Sequence, residues 1–105
     1  MKTILIPNYH IIFTKDSKLK LKQFLNFSMN ISFSYYQKTK DKFYTQFSFI
    51  SYNPYMFPEY ISNSKKYKNC RKSFFFKYIV IYRIFDNHIR ILDIFHYRSN
   101  YKKVV

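Results

Sequence analysis

The chain has 105 residues, of which 48% are hydrophobic and 24% aromatic, and 19 Lys and Arg against 5 Asp and Glu give a formal charge of +14. That length holds one modest core, and the apolar content is too high for a disordered chain, so a single domain over 1–105 is expected and a second is excluded. A lone cysteine, Cys70, excludes an internal disulfide, the Cys and His spacing matches no zinc site, and no run reaches the roughly 18 apolar residues of a membrane span; neither a metal, a cofactor nor a membrane is expected, and a reducing cytoplasm fits.

In chain order, Met1 to Ile6 is broken by Pro7 and Asn8 and lacks the long apolar stretch and small-residue cleavage site of an export signal, so none is expected. Tyr9-His10-Ile11-Ile12-Phe13 is a β-branched and aromatic run that reads as a first strand, and Thr14-Lys15-Asp16-Ser17 supplies helix-start residues directly after it. Leu21, Phe24, Leu25 and Met29 then recur at three- and four-residue spacing between lysines, which predicts an amphipathic helix ending near Asn30. Asn30 and Ser32 offer caps for a second helix over Phe33 to Ser51, with Tyr36, Phe43, Phe47 and Ile50 as its apolar stripe and Lys38, Asp41 and Lys42 facing out. Asn53-Pro54 stops it, and the short connection makes the pair a helical hairpin.

Tyr55 to Asn69, with Pro58, Ser, Asn and the Lys65-Lys66-Tyr67-Lys68 cluster, reads as a loop. Cys70 to Phe76, Tyr78 to Phe85 and Ile89 to His96 are three strands, the last two joined by Asp86-Asn87-His88 with Asn87 the natural residue for a positive φ. Because these last two runs are nearly continuous in apolar residues, they belong in the middle of the sheet. The fold class is α+β in the order β-α-α-β-β-β, with no internal repeats and a basic tail at Tyr101-Lys102-Lys103.

Four stretches, Tyr9 to Thr14, Asn53 to Pro58, Tyr78-Ile79-Val80-Ile81-Tyr82-Arg83-Ile84 and Ile89 to Arg98, are similar to the RelE/ParE superfamily of bacterial toxins. The last two are the most specific: a Tyr-Arg pair near the end of one strand, a short turn, and a strand closing on His-x-Arg. The resemblance covers roughly residues 9 to 103 and implies a helical hairpin on a twisted, mostly antiparallel sheet, and a type II toxin neutralised by a cognate acidic antitoxin whose largely disordered arm folds over the basic surface. Two departures stand out. Lysines occupy helix positions that are often acidic in the family, and Tyr78-Ile79 stand where the ribosome-dependent nuclease branch carries a basic residue.

In that nuclease branch, residues at the end of the last strand act on mRNA in the ribosomal A site, where cleavage needs a base for the 2′-hydroxyl, an acid for the leaving oxygen and positive charge on the phosphate. The resemblance makes His96, Tyr97 and Arg98 the catalytic candidates, with His96 suited to proton transfer and Arg98 to the phosphate. Arg71, Lys72, Lys77, Lys102 and Lys103 are candidates for RNA phosphate. The competing reading is that a terminal-strand His also occurs in the gyrase-inhibiting ParE branch without catalysis, that Tyr97 packs, and that the lysines form a solvated edge.

Arg83 and Arg90 lie inside apolar strands and need an anionic partner or a route to water, and Asp93 is the internal candidate for pairing with one of them. His10 and His88 have no partner pattern. Lys15, Lys18, Lys20 and Lys22 with Lys38, Lys40 and Lys42 make a basic helical face, interleaved with Tyr35, Tyr36 and Tyr44, that reads as solvated surface or as an RNA contact. With no Gly or Trp among residues favouring AT-rich codons, the charge has two sources, codon bias and selection for an anionic partner. The first expectation is therefore a toxin cutting mRNA on the ribosome, with a toxin of the same fold that binds DNA gyrase as the alternative and a small basic nucleic-acid-binding protein outside the family as the third.

Overall fold

A computed structural model describes residues 9–97. Strand β1 (His10–Phe13) leads into helix α1 (Lys15–Ile31) and helix α2 (Phe33–Tyr52), and the strands β2 (Glu59–Tyr60), β3 (Cys70–Phe75), β4 (Tyr78–Ile84) and β5 (His88–His96) follow. The single sheet has the order β1-β5-β4-β3-β2. Neighbours are antiparallel except β1 and β5, which run parallel. The expected α+β hairpin-on-sheet arrangement is present, and the continuous apolar runs of β4 and β5 do lie inside the sheet.

Both helices start where their sequences say. The Thr14 side chain accepts from the Ser17 amide at 3.2 Å, satisfying one of the free donors of the first turn of α1. Ser32 ends α1 through its amide on the Ser28 carbonyl and begins α2 by accepting from the Tyr35 amide at 3.0 Å, so one extended residue serves both helices. Such a short turn forces the helices antiparallel, and they close on each other through Ser28 and Thr39, both fully buried, whose hydroxyls lie 3.2 Å apart. Met29, expected on the apolar stripe, is 43% exposed. Small hydroxyl residues form this contact because a long side chain would hold the helices apart.

The main core lies between α2 and one face of the sheet. Phe43, Phe47 and Ile50 meet Tyr78, Val80 and Tyr82 of β4 and Ile89, Ile91 and Ile94 of β5. On the other face Tyr60, Tyr67, Cys70, Ile79, Ile81 and Phe95 form a smaller cluster, covered by the segment between β2 and β3. The whole stretch from α2 to β3 is more ordered than the loop reading of Tyr55 to Asn69 allows. It holds short 3-10 turns at Pro54–Met56 and Lys65–Tyr67, and Glu59–Tyr60 pairs with Arg71 and Cys70. A two-residue strand is too short to show periodicity, which is why the sequence conceals it.

Glycine is absent, so left-handed backbone falls on other residues. Among the described residues these are Asn69 (φ 59°) and Phe76 (φ 50°), and not Asn87, which was the expected position. The β3–β4 connection thus turns on a phenylalanine.

Candidate functional site

The placement of the β5 terminus is decided by a bulge. Ile81 of β4 pairs with Asp93 while Tyr82 pairs with Ile91, leaving Leu92 as the extra residue. Strand side chains alternate between faces, so one extra residue flips everything after it. Ile89 and Ile91 face the helices before the bulge, and Ile94 and His96 face them after it; Asp93, Phe95 and Tyr97 are sent to the opposite face, where Asp93 and Phe95 are covered and only the end at Tyr97 is open. Without Leu92 as a bulge, His96 would stand on that opposite face.

His96 consequently packs among aromatic rings on the helix side. Its ring centroid is 5.4 Å from that of Tyr78, its cross-strand partner, at 88°, and 6.3 Å from that of Phe24 on α1. Tyr97 turns the other way, edge-on to Phe74 at 5.1 Å, and its amide donates to the Lys77 carbonyl at 2.6 Å. The two neighbouring catalytic candidates are therefore separated by the thickness of the sheet. Arg98, Lys102 and Lys103 lie outside the described residues.

The phosphate candidates do not converge on the strand terminus either. Arg71 is committed to structure: its guanidinium donates to the Phe57 carbonyl at 2.6 Å and the Tyr55 carbonyl at 3.4 Å and lies over the Tyr55 ring, clamping the turn after α2. Lys72 pairs across to Ile81 on the opposite face, whereas Lys77 stands at the β3–β4 turn with its Nζ 3.1 Å from the Tyr35 hydroxyl. Arg83 donates to the carbonyls of Lys68 and Lys66, both at 2.9 Å, and Arg90 lies over the Phe85 ring. Both arginines escape burial by reaching the surface, as long stems permit.

Asp93 pairs with lysines and a tyrosine instead of the expected arginine. It is 3% exposed. Its Oδ1 accepts from Lys20 Nζ at 2.5 Å and from the Ile94 amide at 2.9 Å, and its Oδ2 accepts from the Tyr67 hydroxyl at 2.6 Å with Lys66 Nζ at 3.7 Å. Lys20 reaches it because β1 pairs with β5 only as far as Ile91. Beyond that point the edge of β5 is held by α1: Ser17 Oγ donates to the Ile91 carbonyl at 2.9 Å, and Lys20 Nζ also sits 4.7 Å from the Phe95 ring centroid. Lys20, Lys66 and Tyr67 were not singled out with Asp93 by the sequence, since three separate segments bring them together and no local spacing signals it.

Burial, and then the hydrogen bond to Asp93, push the Tyr67 phenol far above its ordinary value, and burial likewise raises Tyr78 and the Cys70 thiol. All three stay protonated near neutral pH. The described residues contain no group of three or more His, Cys, Asp or Glu able to hold a metal ion, and no helix among them is long and apolar enough to cross a membrane. What the face bearing Tyr97 does offer is exposed aromatic surface, Phe74 at 54% and Tyr97 at 48%, their rings 5.1 Å apart. Rigid aromatics suit macromolecular recognition.

A protein-family model described as "ParE toxin of type II toxin-antitoxin system, parDE" matches residues 11–101. No curated protein matches the chain.

Proposed function

The chain belongs to the ParE toxin family of type II toxin–antitoxin systems, and from that premise we propose that it arrests growth by binding DNA gyrase rather than by cutting mRNA. Membership in the family implies a cognate antitoxin partner. The observation that carries the binding reading is the divergence of His96 and Tyr97. General acid–base cleavage of RNA needs its groups within hydrogen-bond reach of one ribose and one phosphate, and here the imidazole is seated against Phe24 and Tyr78 while the phenol lies against Phe74 on the other face. This reverses the order of preference drawn from the resemblance to the nuclease branch, in which His96, Tyr97 and Arg98 form a catalytic site.

Binding makes different demands, and the face opposite the helices meets them. Phe74 and Tyr97 provide desolvatable area, and Lys20 and Lys66 supply charge for an acidic partner. An acidic antitoxin arm would compete for the same cationic surface, which accounts for neutralisation without a second mechanism. The test is induction of the toxin in cells, followed by trapping of gyrase–DNA breaks and 5′-end mapping of cellular mRNA. Trapped breaks with intact mRNA are expected. Cuts at the ribosomal A site that disappear in His96→Ala would overturn the binding reading in favour of ribosome-dependent cleavage.

A further inference from the structure

Three ammonium groups from two parts of the chain surround one ring at the β3–β4 turn. Lys38 and Lys42, one helical turn apart on α2, place Nζ 5.5 and 5.6 Å from the Phe76 ring centroid, and Lys77 places its Nζ at 5.5 Å. Lys77 Nζ is also 5.4 Å from the Tyr35 ring centroid and bonded to its hydroxyl, and the Tyr35 and Phe76 rings are 6.4 Å apart. A ring has two faces, so three cations cannot each have one to themselves. All three lie within about a Debye length of one another at 0.1 M salt and repel. A bound anion would relieve that repulsion.

The backbone singles out the same spot. Phe76 is held at φ 50°, where a bulky side chain costs on the order of a rotamer strain or more. Codon bias does not explain the choice, because Asn tolerates this region, is plentiful here, and is used at the chain's other left-handed position, Asn69. Phenylalanine at 76 packs part of its ring against the main core and holds the rest between the lysines. Beside it lies a groove of about 580 Å³, lined by Lys38, Asp41, Lys42, Thr45, Gln46, Phe75 and Phe76, which is within the size range of small-ligand sites.

We propose that Lys38, Lys42, Lys77, Phe76 and Tyr35 form a binding site for single-stranded nucleic acid, with a backbone phosphate drawing the three ammonium groups off the rings and a base stacking on the aromatic surface so freed. The rings choose between the two kinds of polyanion. Carboxylates of an acidic peptide gain nothing from a ring face, whose quadrupole repels them, whereas every nucleobase has a π-face to stack. Asp41 would oppose a second anion at the groove but can accept from the exocyclic amine of a base. The site is a property of the chain whether or not gyrase is its target.

Fluorescence anisotropy of the full-length protein with a labelled oligothymidylate of about twelve nucleotides tests the proposal. Lys38→Gln, Lys42→Gln and Lys77→Gln together are expected to flatten the dependence of log K on log salt by about 0.7, the contribution of one phosphate contact on a single strand. The corresponding triple Arg variant should keep the wild-type slope. Tyr35→Leu should weaken binding about tenfold while leaving the slope unchanged, because a stacked base carries no counterion. Two results would overturn the site: an equal loss of slope when Lys15, Lys18 and Lys22 are changed to Gln instead, which would mean diffuse attraction, or unchanged affinity in Tyr35→Leu together with tighter binding of an oligoglutamate than of the oligothymidylate, which would mean an acidic protein partner.

Discussion

Lys20 Nζ on α1 lies 2.5 Å from Asp93 Oδ1 on β5, and this contact fastens the helical layer to the unpaired edge of the sheet. The carboxylate also takes the Tyr67 hydroxyl and the Ile94 amide, so it is shared among three segments. The partners are unequal. Lys20 and Lys66 side chains are 37% and 49% exposed and can turn to water, while Tyr67 is buried and cannot. Asp93→Ala is therefore expected to cost about 2 to 3 kcal/mol, mostly from the stranded Tyr67 hydroxyl and the lost bond to Ile94. Lys20→Ala should cost about 1 kcal/mol, and Lys66→Ala less than about 0.5 kcal/mol. Urea unfolding midpoints of the three variants check the ranking, which fails if Lys66→Ala is as damaging as Asp93→Ala.

The Ser28–Thr39 contact sets how closely α1 and α2 approach. Both residues are fully buried, and Ser28 Oγ additionally lies 3.0 Å from the Phe24 carbonyl. Ser28→Leu should overpack the hairpin and cost about 1 to 3 kcal/mol, whereas Met29→Leu, on the exposed neighbour, should change stability by less than about 0.5 kcal/mol. Thermal unfolding of the pair separates a hairpin closed by small residues from one closed by the apolar stripe.

That contrast also shows where the sequence is legible. Periodicity locates both helices, because Leu21, Phe24, Phe43, Phe47 and Ile50 repeat at helical spacing, and the unbroken apolar runs of β4 and β5 announce an interior position. Hydroxyl residues are invisible to such a pattern, so Ser28 goes unnoticed and Met29 is assigned inward. The bulge at Leu92 is harder still. It depends on how β5 pairs with β4 rather than on any local signal, and it alone decides that His96 faces the helices and Asp93 the opposite side. A site proposal based on residue types near a strand end inherits that uncertainty of face, which is why His96-Tyr97 looks like a cluster in sequence and is not one in space.

Three buried tyrosines make stability depend on alkaline pH. Tyr67, Tyr78 and Tyr82 have phenols raised above the ordinary value of 10.0, in each case chiefly by burial. Because the folded pKa is the higher one, the unfolded chain loses these protons first and binds fewer of them. Stability is then unaffected by these groups below about pH 10 and falls above it, by up to about 1.4 kcal/mol per pH unit for each tyrosine until the folded-state phenol itself titrates. Tyr82→Phe removes one proton from that slope, although it also leaves the Pro54 carbonyl without the hydroxyl that donates to it at 2.6 Å. Urea titrations between about pH 8 and pH 12 should show a lower absolute stability but a shallower decline in the variant; parallel declines would mean that Tyr82 does not contribute.

His96→Phe distinguishes packing from catalysis at the residue where the two readings conflict. The imidazole stands edge-on to Tyr78 and beside Phe24, so a phenyl ring preserves these aromatic contacts while removing the groups that could carry a proton. Growth arrest on induction is expected to persist in His96→Phe and to be lost in Phe74→Glu with Tyr97→Glu, which places charge on the exposed aromatic pair without touching the core. A proton-transferring His96 predicts the opposite: removing a general acid or base lowers the rate about 10² to 10⁴-fold, and a folded His96→Phe protein would then be inert. Circular dichroism of each variant keeps loss of fold from being mistaken for loss of function. An inert, folded His96→Phe protein would therefore place the imidazole at the chemistry despite its aromatic seat, and would require the sheet edge near residue 96 to open before the toxin acts.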